Sequence, residues 1–167
     1  MAGPGARIPY VVEGSINVAS GGVLTIDPGV EVRFRGVTHT LSAVEDRRFI
    51  ADGTPQQPIV FTGFTKTPGS WDGIRFSGSS AKPNLNSRLR YVSIEYGGAG
   101  GGNIAMEWAY PTISHCTLTN SSQYGICGRV VSGPKVSYTT AMLPPSPAAP
   151  ILRWTSTRWT TSPSSTT

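Results

Sequence analysis

Apolar and polar residues alternate with a period of two along most of residues 8–140. Val30-Glu31-Val32-Arg33-Phe34 shows it most cleanly, with two Val and a Phe on one face and Glu and Arg on the other, the pattern of a strand with one buried side. The same alternation predicts strands at 22–26, 30–34, 48–52, 58–63, 71–76, 89–96, 103–107, 112–120 and 125–127. Gly, Pro, Asn and Ser separate these segments, and no stretch keeps helical spacing for three turns. An all-β chain follows.

The strands also recur. A shift of 24 lays Leu89, Val92, Ile94 and Tyr96 on Ile113, Cys116, Leu118 and Asn120. Asp27 meets Asp52 at 25, and after a short insertion Val32 meets Ile59 and Phe34 meets Phe61 at 27. Gly73-Ile74 returns as Gly125-Ile126 after 52 residues, two repeats of about 26. A period near 25, built of short strands and tight turns, predicts a parallel β-helix: one coil cannot bury its inward residues or pair its backbone, and stacked coils do both. Residues 8–140 hold about five such coils. A leucine-rich horseshoe would need a repeating Leu-x-x-Leu-x-Leu block, which is absent; a sandwich or jelly roll is the alternative that the alternation also allows.

Composition sharpens this picture. The 20 Gly and 14 Pro demand frequent turns, and 14% charged residues is too few for a coiled coil. No apolar run approaches the roughly 20 residues of a membrane-spanning helix. The net charge of +5 is spread thinly along the chain, and the local runs Arg33/Arg35 and Arg47/Arg48 lie beside acids, so no nucleic-acid partner is expected. All glycines precede residue 134, whereas Ser, Thr and Pro make up 16 of the 27 residues in 141–167. That segment is expected to be a disordered or loosely draped tail outside the 8–140 domain, although Trp154 and Trp159 would need a surface to lie on. The N-terminus, Met-Ala-Gly-Pro-Gly-Ala-Arg, has no basic and then apolar signal segment, so the chain either stays inside the cell or is a piece of a longer exported protein.

The segments Thr-Ile-Asp-Pro-Gly-Val-Glu-Val-Arg-Phe (25–34), Ala-Asp-Gly-Thr-Pro-Gln-Gln-Pro-Ile-Val-Phe-Thr (51–62), Gly-Ser-Trp-Asp-Gly-Ile-Arg-Phe (69–76), Leu-Arg-Tyr-Val-Ser-Ile-Glu-Tyr-Gly-Gly (89–98) and Tyr-Gly-Ile (124–126) carry a family signature. Together they resemble bacterial right-handed parallel β-helix repeat proteins of the pectate-lyase-like superfamily. The resemblance implies a right-handed, single-stranded solenoid in an extracellular or cell-surface protein, often as one part of a longer parent. Some relatives cleave acidic polysaccharides with bound calcium and a basic residue; many are adhesins. This chain lacks the strand-borne aspartate cluster that would hold calcium, so no cofactor or metal is expected unless it is a lyase.

Candidate chemistry is sparse. Asp72, Glu95 and Glu107 are the only carboxylates after residue 52. Alternation turns Arg75, Glu95 and Glu107 outward, and stacking Ile74, Ile104 and Ile126 would place Arg75, Ala105 and Cys127 in one external column, with Ser77, Glu107 and Arg129 beside it. Asp72, Arg75 and Glu107 are therefore the catalytic candidates, if there are any. The simpler reading is a ladder of opposite charges.

Trp71 and Asp72, joined by Tyr91 and Trp108, are the candidate carbohydrate-binding residues: an indole stacks on a pyranose while a carboxylate accepts its hydroxyl protons. Against this, Trp71 at a coil corner would cap the core. His115 and Cys116 point to opposite faces and form no site. Cys116 reads as core and Cys127 as an outward thiol. Asn120 is expected to bond backbone at a corner. Gly97–Gly102 reads as a flexible turn with no phosphate-loop Lys. The Thr residues do not repeat in one register, which argues against an ice- or crystal-facing surface.

The expected function is a non-catalytic segment presenting a rigid face to carbohydrate or a surface partner. The alternative is a polysaccharide lyase or glycoside hydrolase. Unpaired terminal coils should also make the solenoid self-associate unless Met1–Pro9 or the tail covers an end.

Overall fold

The computed structural model describes residues 8–130, 132–142 and the backbone of 152–154. The described residues contain strands and no helix. The first coil is Tyr10–Val12 (β1), Ile16–Asn17 (β2) and Val23–Ile26 (β3); the second is Glu31–Phe34 (β4), Thr40–Val44 (β5) and Arg48–Asp52 (β6). The third is Ile59–Gly63 (β7), Gly73–Ser77 (β8) and Asn84–Arg90 (β9), and the fourth Val92–Glu95 (β10), Gly102–Glu107 (β11) and Ala109–Ser114 (β12). The fifth is Thr117–Thr119 (β13), Tyr124–Arg129 (β14) and Lys135–Ser137 (β15); Thr140–Met142 (β16) and Leu152–Trp154 (β17) begin a sixth.

Equivalent strands of successive coils pair in parallel, giving three sheets: β1-β4-β7-β10-β13-β16, β2-β5-β8-β11-β14-β17 and β3-β6-β9-β12-β15. The chain is a parallel β-helix. Ile113 pairs with Leu89 and Leu118 with Ile94, as the shift of 24 requires. Ile74, Ile104 and Ile126 stack in one column.

Each sheet turns one face into a shared interior. Phe34, Leu41, Phe49, Phe61, Ile74, Phe76, Leu89 and Ile94 are all essentially inaccessible to solvent. Aromatic rings fill its width: Phe34 stacks on Trp71 at 4.4 Å, and Phe49 meets Phe61 edge-on at 5.7 Å. Ring pairs in these offset or edge-on geometries contribute beyond their buried area.

The structure corrects several sequence expectations. The repeat is uneven: Val32 pairs with Phe61 rather than Ile59, a spacing of 29 instead of 27. A two-residue slip preserves parity, so the same side chains still face inward. Spacing ranges from 22 residues, between Ile104 and Ile126, to 38, between Ala51 and Leu89. Loops at the corners absorb the difference.

The segments expected as single strands at 89–96 and 112–120 are each two strands broken at a corner. Tyr91 and His115 occupy the left-handed region there, with φ of 50° and 53°. Alternation does not predict β5, because its inward residues, Leu41 and Ala43, make a weak apolar pattern. The ladder also runs past residue 140, since β16 and β17 pair in register with β13 and β14. The rest of the expected tail lies outside the described residues.

Candidate functional site

The outer face of β8, β11 and β14 gathers most of the candidate polar residues. Backbone register fixes two columns there: Ser42, Arg75, Ala105 and Cys127 in one, and Val44, Ser77, Glu107 and Arg129 in the next. Both columns match the sequence expectation. Their charges do not close the expected ladder, however. Among the described residues Glu107 and Arg129 form no ion pair, and Arg75 leans instead toward Asp72, its Nη2 lying 3.9 Å from Oδ2. A small cleft of about 20 Å³ opens among Arg75, Ser77, Gly100, Ala105, Glu107 and Arg129, room for about one water.

The glycine-rich turn 97–102 forms one wall of this cleft, and it is close-packed rather than loose. Gly98 has φ of 96° and lies against Ser121 and Ser122. At Gly100 any β-carbon would collide with the Asp72 carboxylate. Asn103 ties the turn down: its Oδ1 accepts from the Gly97 N–H at 3.0 Å, and its Nδ2 donates to the Ile94 and Thr119 carbonyls at 3.1 and 3.0 Å. Asn84 performs the same service at another corner, donating to the carbonyls of Glu45 at 3.0 Å and Arg47 at 2.8 Å. Asn120, expected in that role, is a left-handed corner residue with φ of 51°, and no such side-chain bond is among its described contacts.

Trp71 is not on the surface. It is fully buried, stacked on Phe34, and its Nε1 donates to the Glu95 carbonyl at 2.8 Å. Burying the indole with its one polar atom satisfied fits a core residue, so no face of Trp71 remains for a sugar. Trp108 stands at the left-handed corner directly after Glu107, half-buried, with φ of 49°, and so borders the same outer face.

Tyr91 lies elsewhere, at the corner between the third and first sheets. Its ring is 4.6 Å from that of His115, which stacks at 4.9 Å on Tyr138. The structure thus brings Asp72, Arg75, Glu107 and Trp108 to one sheet and separates Tyr91 from them.

Cys116 is core, and burial pushes its thiol up to about 11. Cys127 keeps the outward register and is only 5% exposed, packed beside Gly101. Both cysteines are free. Thr62 and Thr119 do share an outward column, but Glu95 separates them and Lys66 lies 3.8 Å from its carboxylate.

Sequence reasoning missed one feature. Loops at 35–37 and 64–70 enclose a groove of about 480 Å³ in which the Arg35 guanidinium lies 4.1 Å over the half-exposed ring of Phe64. Strand alternation carries no signal for it, because both residues sit just beyond strand ends.

No group of three or more His, Cys, Asp or Glu side chains is gathered as a metal site among the described residues. Asp72 lies just before β8, against Arg75, and Glu107 ends β11 beside Arg129 in register. No helix among the described residues is long and apolar enough to cross a membrane.

The pectate-lyase like beta helix domain family matches residues 5–105. That span covers three fifths of the chain and the first three coils with most of the fourth. The chain belongs to this family. No curated protein and no solved structure gives a significant match.

Proposed function

We propose that this chain is a non-catalytic binding segment of an extracellular or cell-surface β-helix protein, one that presents the outer face of β8, β11 and β14 to a glycan. Further coils of a longer parent are its structural partners. The observation that supports this reading is the polar group on that face. Glu107 and Arg129 stand side by side on rigid strands with hydrogen-bonding capacity unspent among the described residues, beside the Asp72–Arg75 pair and bordered by Trp108. Carboxylate and guanidinium groups held this way suit hydroxyl-rich ligands, because they accept and donate to vicinal hydroxyls while the adjoining indole offers an apolar surface.

The test is a titration of the chain against a panel of neutral and acidic oligosaccharides. Binding that weakens about tenfold or more in Glu107→Gln and Arg129→Ala, as expected for losing charge-assisted hydrogen bonds, supports the assignment. Binding unchanged in both variants removes it.

The lyase or hydrolase alternative is tested separately with polygalacturonate and other acidic glycans, with and without calcium. Unsaturated or reducing ends that disappear in Asp72→Ala or Arg75→Ala would replace the binding reading with a catalytic one.

A further inference from the structure

Charge is shared unevenly among the three outer faces of the solenoid. The face of β4, β7 and β10 sets Glu31 and Glu95 against Arg33, and that of β8, β11 and β14 sets Glu107 and the adjoining Asp72 against Arg75 and Arg129. The third face is different. Its strands β9, β12 and β15 hold Arg88, Arg90 and Lys135 and no carboxylate. Asp52 on β6 stands in register with Arg90, yet it is held by Arg88, whose Nε lies 2.8 Å from Oδ1. Arg48, at the start of β6, has the Glu45 and Asp46 carboxylates of the adjoining turn nearby. Arg90 and Lys135 are exposed and form no ion pair among the described residues, so the unbalanced charge lies over the third to fifth coils.

Backbone register arranges this face as two columns: Arg88, Thr112 and Lys135 in one, Arg90, Ser114 and Ser137 in the other. Leu89 and Ile113, between the columns, are fully buried, so alternation turns both columns outward. Paired strands lie about 4.8 Å apart, which puts the arginines of the third coil about 10 Å from Lys135 of the fifth, with hydroxyls on the coil between. The corner rings of Tyr91, His115 and Tyr138 run alongside, and the Arg90 guanidinium lies 5.3 Å over the Tyr91 ring. That contact favours one placement of the guanidinium before any ligand arrives.

We propose that this face binds a linear glycan substituted with sulfate or phosphate groups, laid along the solenoid axis, at a site separate from the outer face of β8, β11 and β14. Charge complementarity calls for an anionic ligand, because these cations have no acids of their own coils to answer them. The mixed donors point to the group. Cations on one coil and hydroxyls on the next approach from two adjacent strands, which suits the three outward oxygens of a tetrahedral oxyanion, whereas one guanidinium already satisfies a planar carboxylate. Recurrence along the axis points to a polymer, with one substituent at the third coil and another at the fifth. Duplex DNA carries a charge every ~1.7 Å of its axis, far denser than cations about 10 Å apart.

The experiment is calorimetric titration of the full chain with dextran oligosaccharides of one length, unsubstituted, carboxymethylated, sulfated and phosphorylated, beside a duplex DNA oligomer. The expected result is binding of the sulfated or phosphorylated form about tenfold or more tighter than the carboxymethylated one, weakening as salt is added. Whichever of the two binds tighter identifies the substituent. Arg90→Gln and Lys135→Gln should each raise the Kd about threefold to fivefold, the scale of one exposed ionic contact. Arg33→Gln, which removes the same charge from the outer face of β4, should leave it unchanged. All three side chains point away from the interior, and circular dichroism checks that the variants keep their strands. An equal loss in Arg33→Gln would show that binding follows net charge alone and would overturn the proposal. Unaltered binding in Arg90→Gln and Lys135→Gln would do the same, as would tightest binding to the carboxymethylated or unsubstituted dextran or to DNA.

Discussion

The imidazole of His115 lies 4.6 Å from the ring of Tyr91 directly across one coil, and both residues hold left-handed backbone conformations. Tyr138 extends the stack on the other side of His115 with φ of 46°. A non-glycine residue in this region costs about 1 kcal/mol or more, a cost that the stacked rings offset at these three corners. His115→Ala keeps the backbone strain and loses both ring contacts, whereas His115→Gly loses the contacts and relieves the strain. Denaturant unfolding should therefore show both variants destabilised, with Ala worse than Gly by about 1 kcal/mol. Equal stability of the two would show that the corner carries no strain.

Asn103 links three separate backbone groups from a fully buried position. Asn103→Leu would leave the Gly97 N–H without its partner and remove the side-chain donor from the Ile94 and Thr119 carbonyls, the latter still accepting from the Tyr96 N–H at 3.2 Å. An unsatisfied buried group costs about 1–3 kcal/mol, so a loss of about that size is expected in chemical denaturation, along with protease sensitivity in the 97–102 turn. A loss below about 1 kcal/mol would mean that water replaces the amide there.

Two glycines of the candidate site should respond differently to the same methyl group. At Gly73 the backbone has φ of 103° and a β-carbon would strike the backbone of Gly102 and Asn103. At Gly100 it would meet the end of the Asp72 side chain, which can turn away. Gly73→Ala is expected to cost about 3 kcal/mol or more, combining strain and overpacking. Gly100→Ala should cost less than about 1 kcal/mol while parting Asp72 from Arg75. Thermal melts rank the two, and the reverse ranking would contradict the packing described for the turn.

Asp52 and Arg88 pair across adjacent coils, with Arg88 Nε 2.8 Å from Oδ1. The hydrogen bond from Arg88 holds the Asp52 carboxyl below the usual carboxylate range. A folded-state value below the unfolded one makes the pair stabilising above about pH 4, and that contribution fades as pH falls through the lowered value. The pair is well exposed, so it is worth about 1 kcal/mol at most and less in high salt. Arg88→Met should thus be slightly less stable than wild type at pH 7, and the gap should close in acid. A gap that persists unchanged to about pH 2 would assign it to packing of the arginine stem.

Much of the architecture was legible in the sequence because burial on one face imposes a period of two and stacking imposes a longer one. Ile74, Ile104 and Ile126 declared their column through the recurring Gly-Ile and Asn-Ile steps. The corners were harder to see, although the sequence did mark them. Leu89, Val92 and Ile94 are spaced by three and then two, as are Ile113, Cys116 and Leu118, and the odd interval is the footprint of one left-handed residue that turns the chain. The candidate site was half legible: parity correctly sent Arg75 and Glu107 outward. Parity could not place Trp71, which lies just before a strand where a corner decides whether the ring points in or out. Nor could it reveal that Arg75 leans toward Asp72 rather than Glu107, since that choice depends on where the glycine turn packs.

The account rests on coils that stack residue over residue, and methyl-resolved nuclear Overhauser spectroscopy on the full chain tests it most directly. Strong cross-peaks are predicted between the methyl groups of Leu89 and Ile113, of Ile94 and Leu118, and of Ile104 and Ile126. Absence of all three, with contacts linking these residues to other partners, would contradict the solenoid and the outward face built on it.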